Sequence, residues 1–342
     1  GGVIVDPPAE VWSALVPTAD AATLERWIGQ ALVRLASLGL VAVHDMATSP
    51  AELAAMQRLA ARGLPLRVVV YLDDSEASFA WLEAHPVTPP ARATRLGPDL
   101  VVAGMKLFAD GALGSRGAAL KADYSDEPGH RGQAVDGAAL VAKAQRAARA
   151  GYPIAIHAIG DRGVSLALDA VEAANAIAPG LAHRIEHAQV VDPADLARFA
   201  ASGAIASMQP THATSDMRWA EARLGARIVG AYAWRTMLRS EVPLVFGSDA
   251  PVESPDPRLG LWAAVTRQAI DGTPAGGWHA EEALTLREAL AAFSHGAWRA
   301  APFEPQRGVF AVGAVFDATL FDTDVVAEPR ALLGAKVVGR VR

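Results

Sequence analysis

Eight ionisable side chains close apolar runs of the chain: His44 and Asp45 in "LVAVHDM", Lys106 and Asp110 in "LVVAGMKLFADG", His157 in "YPIAIHAIGD", His187 in "HRIEHAQ", His212 in "SMQPTH" and Asp249 in "PLVFGSDAPV". Two imidazoles and a carboxylate converging from separate strands make the ligand set of a catalytic divalent metal, most often zinc, with one position left for water. Such an ion lowers the pKa of its water to about 7. Asp249, as ligand or neighbour, then stands where it can take that proton and pass it to a leaving group. The chain contains no cysteine, which excludes disulfides, thiolate nucleophiles and zinc–thiolate sites together, so any metal must use His, carboxylate or modified Lys. Lys106 lies inside an apolar run, where an ammonium needs a partner, a shifted pKa or a modification. The plainer reading of any one strand histidine is a hydrogen-bonded core residue. His183 is read that way, and His85, His130 and His279 as solvent-facing loop residues.

Positioning these groups requires a particular order of elements. Leu24, Ile28, Leu32, Leu35 and Leu38 recur at helical spacing, Gly39 stops the helix, and "LVAVHDM" (40 to 46) follows as a strand. Further strands are expected over 64 to 72, 100 to 111, 152 to 161, 183 to 191, 203 to 212 and 242 to 251, with helices over 137 to 151, 161 to 178 and 193 to 203 between them. Seven strands alternating with helices predict a parallel sheet with right-handed crossovers, and no G-x-G-x-x-G turn follows the first strand. The expected fold is therefore α/β, a (β/α)8 TIM-type barrel with one strand fewer than closure needs. In such a barrel functional groups gather at the carboxyl ends of the strands. Alternation places Ala155 with His157 on one face, Ile185 with His187, and Val245 with Gly247 and Asp249. After a helix over 284 to 301, "RGVFAVGAVFDATLFDTDVV" alternates like antiparallel strands around Gly308 and Gly313. The domains expected are 1–305, the barrel, and 306–342, part of a β-sandwich too short to fold alone.

Composition narrows the partners. With 31 basic and 37 acidic residues the net charge is -6, and no basic cluster tracks a phosphate backbone, so nucleic acid is not expected. Half the residues are apolar (51%), yet no run reaches the roughly 18–20 residues of a membrane span. No basic start followed by an apolar stretch opens the chain. A small-molecule substrate, a cytoplasmic setting and a possible homo-oligomer are the expectations. Trp219, Tyr232 and Trp234 offer an aromatic lid, or else pack on neighbouring helices.

At these same residues the chain resembles the amidohydrolase superfamily, and within it the amidohydrolase-3 group of YtcJ-like proteins and N-substituted formamide deformylases. The segments that carry the resemblance are "GLVAVHDM", "MKLFADGALGSRGAAL", "IAIHAIGDRGV", "HRIEHAQ", "SMQPTH", "PLVFGSDAPV" and "GVFAVGAVFDATLFDTD", in the order of the family. The resemblance implies a metal-dependent hydrolase of non-peptide C–N bonds (amide, formamide or cyclic amide), holding one or two divalent ions, of which zinc is expected. By position His157 and His187 match the metal ligands of the fifth and sixth strands, and Asp249 the acid of the eighth. Lys106 matches the fourth-strand lysine that is carboxylated in many members and bridges two metals. Arg116, His212 and Asp216 fall where members shape the substrate pocket.

The sequence departs from the family at one place. Members carry a His-x-His pair on the first barrel strand, and no His-x-His occurs here. The seven strands then correspond to the second through the eighth, as in a truncated chain that lacks the N-terminal share of the sandwich. On this reading the chain alone binds metal weakly or not at all and is inactive without the missing part. The alternatives are a deaminase or esterase on the same site, or a metal-free barrel acting as a binding or regulatory protein.

Overall fold

A computed structural model of the chain describes residues 15–88, 93–301, 307–326 and 330–341. Seven strands pair in parallel in chain order: β1 (Ala42–Thr48), β2 (Arg67–Leu72), β4 (Leu100–Phe108), β5 (Ile154–Ala158), β6 (Arg184–His187), β7 (Ile205–Met208) and β8 (Leu244–Phe246). A two-residue strand that the sequence did not announce, β3 (Thr94–Arg95), pairs antiparallel with β4. Helices such as Ala21–Ser37, Pro50–Ala60, Gly137–Arg149 and Asp161–Asn175 fill the crossovers. The expected TIM-type α/β architecture is thus present, with seven parallel strands among the described residues.

The strands are shorter than the apolar runs that announced them, because the ends of those runs belong to loops and helix starts. The run 203 to 212 divides into β7 and a helix over Pro210–Asp216. Proline suits a first helical turn, where an N–H would lack a partner anyway. His212 therefore sits on a helix and not at a strand end.

Side-chain alternation separates the two faces of the sheet. Val68, Val70, Leu72, Ile154, Ile156, Ile185, Ala206, Leu244 and Phe246 join the large core under the helices. On the concave side lie Val69, Tyr71, Ala103 and Ala155, with Met46 against them, and a second small group of Ile205, Val245 and Ala300. Gly104 marks a close approach within β4, since a Cβ there would meet the Pro153 carbonyl at 2.5 Å and the Tyr71 ring at 2.7 Å. Among the described residues no strand pairs with the outer edge of β1 or β8. Accordingly β1 is half-buried along most of its length, whereas every residue of β2 is buried. The short helix Ala297–Arg299 and its C-cap Ala300 reach back to β2: the Tyr71 hydroxyl donates to the Ala300 carbonyl at 3.3 Å, and Arg67 lies over the Trp298 ring.

In the tail, β9 (Ala318–Phe321) and β10 (Val337–Val341) form an antiparallel pair. The alternation around Gly308 and Gly313 does not form strands; residues 307–317 run as turns and irregular chain. The two glycines adopt left-handed φ of 72° and 88°, which breaks any extended run. The expected domain boundary at 305/306 lies outside the described residues. The tail is tied to the barrel where Thr319 Oγ1 donates to the Gly39 carbonyl at 2.5 Å, and where Arg340 donates to the carbonyls of Leu40 and Pro65. Leu332 is fully buried in the main core. Leu332→Ala is therefore expected to lower the stability of the whole chain by about 2–5 kcal/mol in a single urea transition; an unchanged midpoint would show that the tail frays independently.

Candidate metal centre

β5 carries Ala155 and His157 on the concave side, in register with Lys106 and Phe108 of β4. The His157 Nε2 lies 3.4 Å from the Gly111 carbonyl and 3.6 Å from Asp110 Oδ1. Asp110, a strand-end acid to which the sequence assigned no role, ties the loop after β4 to the loop after β5. Its buried carboxylate accepts backbone N–H groups from Ala119 (2.9 Å), Ile159 (2.9 Å) and Gly160 (2.7 Å). Burial pushes its pKa up to about 7 against those three donors. Gly163 permits the close approach, because a Cβ there would fall 2.4 Å from Asp110 Oδ2.

On β6 the expected alternation is corrected. Ile185 faces the helices, and the concave side carries Arg184 and Glu186, neither singled out by the sequence. Their alternating polarity within "HRIEH" was the available signal. Arg184 donates to His44 Nδ1 at 2.6 Å and to Ser207 Oγ at 2.8 Å, pairs with Glu186 at 2.8 Å, and stacks over Tyr71. Parity would send His187 outward. Instead the strand ends in left-handed backbone, φ 72° at His187 and 40° at Ala188, and the ring turns toward the other histidines. It lies 4.6 Å from the His157 ring, edge to face, and 5.8 Å from the nearly parallel His212 ring. Its Nδ1 is 2.8 Å from Gln209 Oε1.

His212 brings a third imidazole from the helix Pro210–Asp216. Its Nε2 is buried without a hydrogen-bond partner and lies 3.8 Å from Asp249 Oδ2. Asp249, three residues beyond β8, also adopts a left-handed φ, 57°. One ligand atom each from His187, His212 and Asp249 lie within 4.8 Å of one another. His157 packs against this group without belonging to it. The Lys106 ammonium stands over the Phe108 ring; burial draws its pKa down to about 8, with Glu186 and Asp249 pulling the other way.

Burial holds the imidazoles neutral: His157 is drawn down to about 3, helped by Lys106, His212 to about 4, and His187 well below its usual value. Burial raises the Asp249 carboxyl and Lys106 opposes the rise. Neutral imidazole is the ligating form. An unpartnered buried nitrogen facing a carboxylate and a second neutral imidazole fits a divalent metal.

The other expected site residues are held by neighbours. Arg116 pairs with Asp126 and Glu127, at 2.7 and 3.1 Å. Asp216 accepts from the Tyr232 hydroxyl at 2.6 Å and from Gln189 at 3.1 Å, and burial lifts its pKa to about 6. Tyr232 and Trp234 are core residues, and Trp219 packs against the core edge, so the packing alternative replaces the aromatic lid. His183 is structural as expected, its Nδ1 accepting from Ile154 N–H. His85 is exposed. His130 and His279, expected in solvent, are half-buried: His130 stacks on Tyr124, and His279 bridges Glu221 and Glu281.

The sequence profile of the Amidohydrolase family matches residues 2–339. The chain belongs to the amidohydrolase family. It is 35% identical over 233 residues to the putative amidohydrolase YtcJ of Bacillus subtilis, covering 68% of this chain and 44% of YtcJ. It is 32% identical over 231 residues to the protein LONG AFTER FAR-RED 3 of Arabidopsis thaliana, covering 66% of this chain and 39% of that protein. An uncharacterized metal-dependent hydrolase from Pyrococcus horikoshii OT3 superposes on this amidohydrolase with a TM-score of 0.75 at 30% identity, covering 85% of this chain and 57% of that one. The chain thus spans less than half the length of the two curated relatives. No helix among the described residues is long and apolar enough to cross a membrane.

His44 and His183 give a test away from the ligand group. Both folded pKa values are depressed by burial, to about 3 and about 4, His44 also by Arg184. An unfolded histidine titrates near 6.5, so stability is full above that pH and is lost as pH falls toward the folded values. Between pH 6.5 and 5 each should cost about 2 kcal/mol. Urea unfolding of the metal-free chain at the two pH values should show the drop, and His183→Asn, which keeps an acceptor for Ile154, should remove one share of it.

Proposed function

We propose that this amidohydrolase is a metal-dependent hydrolase of small molecules, cleaving a C–N bond other than a peptide bond in an amide, formamide or cyclic amide. The observation that carries the reading is the convergence of His187, His212 and Asp249 around a buried, unpartnered imidazole nitrogen. These three residues would hold a divalent ion, with zinc favoured by the imidazole and carboxylate donors. When bound, that ion supplies Lewis acidity, lowering the pKa of water and polarising a carbonyl. Family membership and the likeness to the Pyrococcus metal-dependent hydrolase support the same reading.

The chain's own residues set the rest. Asp249, on the open side of the group, accepts a proton from the attacking water and returns it to the leaving nitrogen, which must be protonated to depart as an amine. Its raised pKa favours both halves of that exchange. The Lys106 ammonium offsets the negative charge of Asp249 and Glu186. Its depressed pKa raises the share of free amine, the form that carboxylation requires, and the carbamate so formed would carry a negative charge in place of the ammonium. His157 walls the group on the β5 side.

The expectation of weak or absent metal binding rested on the absent His-x-His pair, and His212 offers a third ligand from within the chain. Zinc titrated calorimetrically into the purified chain should bind at one ion per chain, more weakly by tenfold or more in His212→Ala and in Asp249→Ala. Unchanged affinity in His212→Ala would assign that residue to substrate and not to metal. Across a panel of amides and formamides, Asp249→Asn should lower kcat by roughly 10²–10⁴-fold; a loss of less than tenfold would move the proton transfer elsewhere.

A further inference from the structure

Gln209 follows β7 and precedes the helix that carries His212, and its side chain is buried. Its Nε2 donates to the Ser207 carbonyl at 3.2 Å, and its Oε1 stands 2.8 Å from His187 Nδ1. These contacts decide the orientation of the amide by elimination. A backbone carbonyl only accepts, so the NH2 end must face Ser207, and the end facing His187 is the oxygen. An amide oxygen also only accepts, so the hydrogen between the two groups belongs to His187 Nδ1. The lone pair of the ring is therefore on Nε2. His157 is arranged the opposite way, since its Nε2 faces the Gly111 carbonyl and Asp110. The two neighbouring rings are thus addressed through different nitrogens.

We propose that Gln209 is the positioning residue of the site: it fixes His187 as the Nδ1–H tautomer and aims the Nε2 lone pair at the space shared with His212 and Asp249. A metal-ligating histidine generally donates its other N–H to an oxygen acceptor, which sets ring orientation and raises ligand basicity. Gln209 does so from the turn that also delivers His212, so the same few residues orient one imidazole and supply another. Ser207, which anchors the amide through its carbonyl, receives Arg184 on its hydroxyl. The orienting contact is thereby tied to the charged network beneath the site. The consequence for metal affinity rests on the metal reading above; the tautomer assignment does not.

The test is a long-range 1H–15N correlation on the metal-free, 15N-histidine-labelled chain at neutral pH, with the His187 signals assigned by their loss in His187→Gln. The wild-type chain should show the Nδ1–H tautomer. Gln209→Glu, which keeps an oxygen acceptor, should retain it, and Gln209→Met, of similar length without an acceptor, should shift His187 to Nε2–H or a mixture. Zinc affinity should fall about 10- to 100-fold in Gln209→Met and less in Gln209→Glu. An Nε2–H tautomer in the wild-type chain overturns the proposal without recourse to any variant, as does Gln209→Met with tautomer and affinity both unchanged. A tautomer pattern as expected, with no zinc bound by any of the three proteins, would uphold Gln209 as the positioning residue while sinking the metal reading.

Discussion

The guanidinium of Arg184, buried on the concave side of the sheet, is the constraint on which the site depends. It remains charged under all ordinary conditions, so its donors must be matched within the protein. The match comes from His44 on β1, Glu186 on β6 and Ser207 on β7, with the Tyr71 ring of β2 as a stacking surface. Four strands are thereby held to one geometry by a single side chain. Removing one partner of such a buried pair typically costs about 3–5 kcal/mol, because the charge left behind has no water to turn to. Glu186, fixed by Arg184, is also the nearby negative charge that raises the Lys106 pKa against burial.

That network dictates what the end of β6 must do. With Arg184 and Glu186 facing inward, regular alternation would bury His187 under the helices. The left-handed pair His187–Ala188 reverses the direction at the point where the strand stops. Asp249 takes the same kind of backbone after β8, and His212 enters on a helix started by Pro210. Each member of the ligand group thus leaves the regular sheet by a local irregularity. Left-handed conformations of non-glycine residues cost of order 1–3 kcal/mol each and persist only where the surroundings over-determine them. Here Gln209 on one side and His157 on the other hold the His187 ring.

Asp110 plays the corresponding part for the loops above β4 and β5. Its three backbone hydrogen bonds join segments about 10 and 50 residues away in the chain and place the Gly111 carbonyl against His157. The acid thus fastens the loop after β4 to the loop after β5. At the opposite end of the barrel, the β9–β10 pair and Leu332 anchor the tail to the strand starts through Gly39, Leu40 and Pro65. The loops beside the candidate metal centre and the tail are therefore supported from different ends of one sheet.

The sequence by itself determined the alternation of seven strands with helices, because a strand buried on both faces reads as an unbroken apolar run and its covering helix as a stripe. It also singled out ionisable residues that close those apolar runs, since a polar group at the end of a buried strand has few other places to go. The motifs carried the family as well, and the whole-chain profile match agrees. What only the tertiary structure decided was which of these residues meet. His212, read as a pocket residue, joins His187 and Asp249, while His157, read as a ligand, stands beside them. Arg184, Glu186 and Gln209 drew no role from the sequence although the site rests on them. Alternation along a strand is a local property, but the left-handed turn that aims His187 and the full set of partners for the buried Arg184 depend on groups more than twenty residues away. No local pattern records that choice, because its energy exists only once the distant strands are packed together.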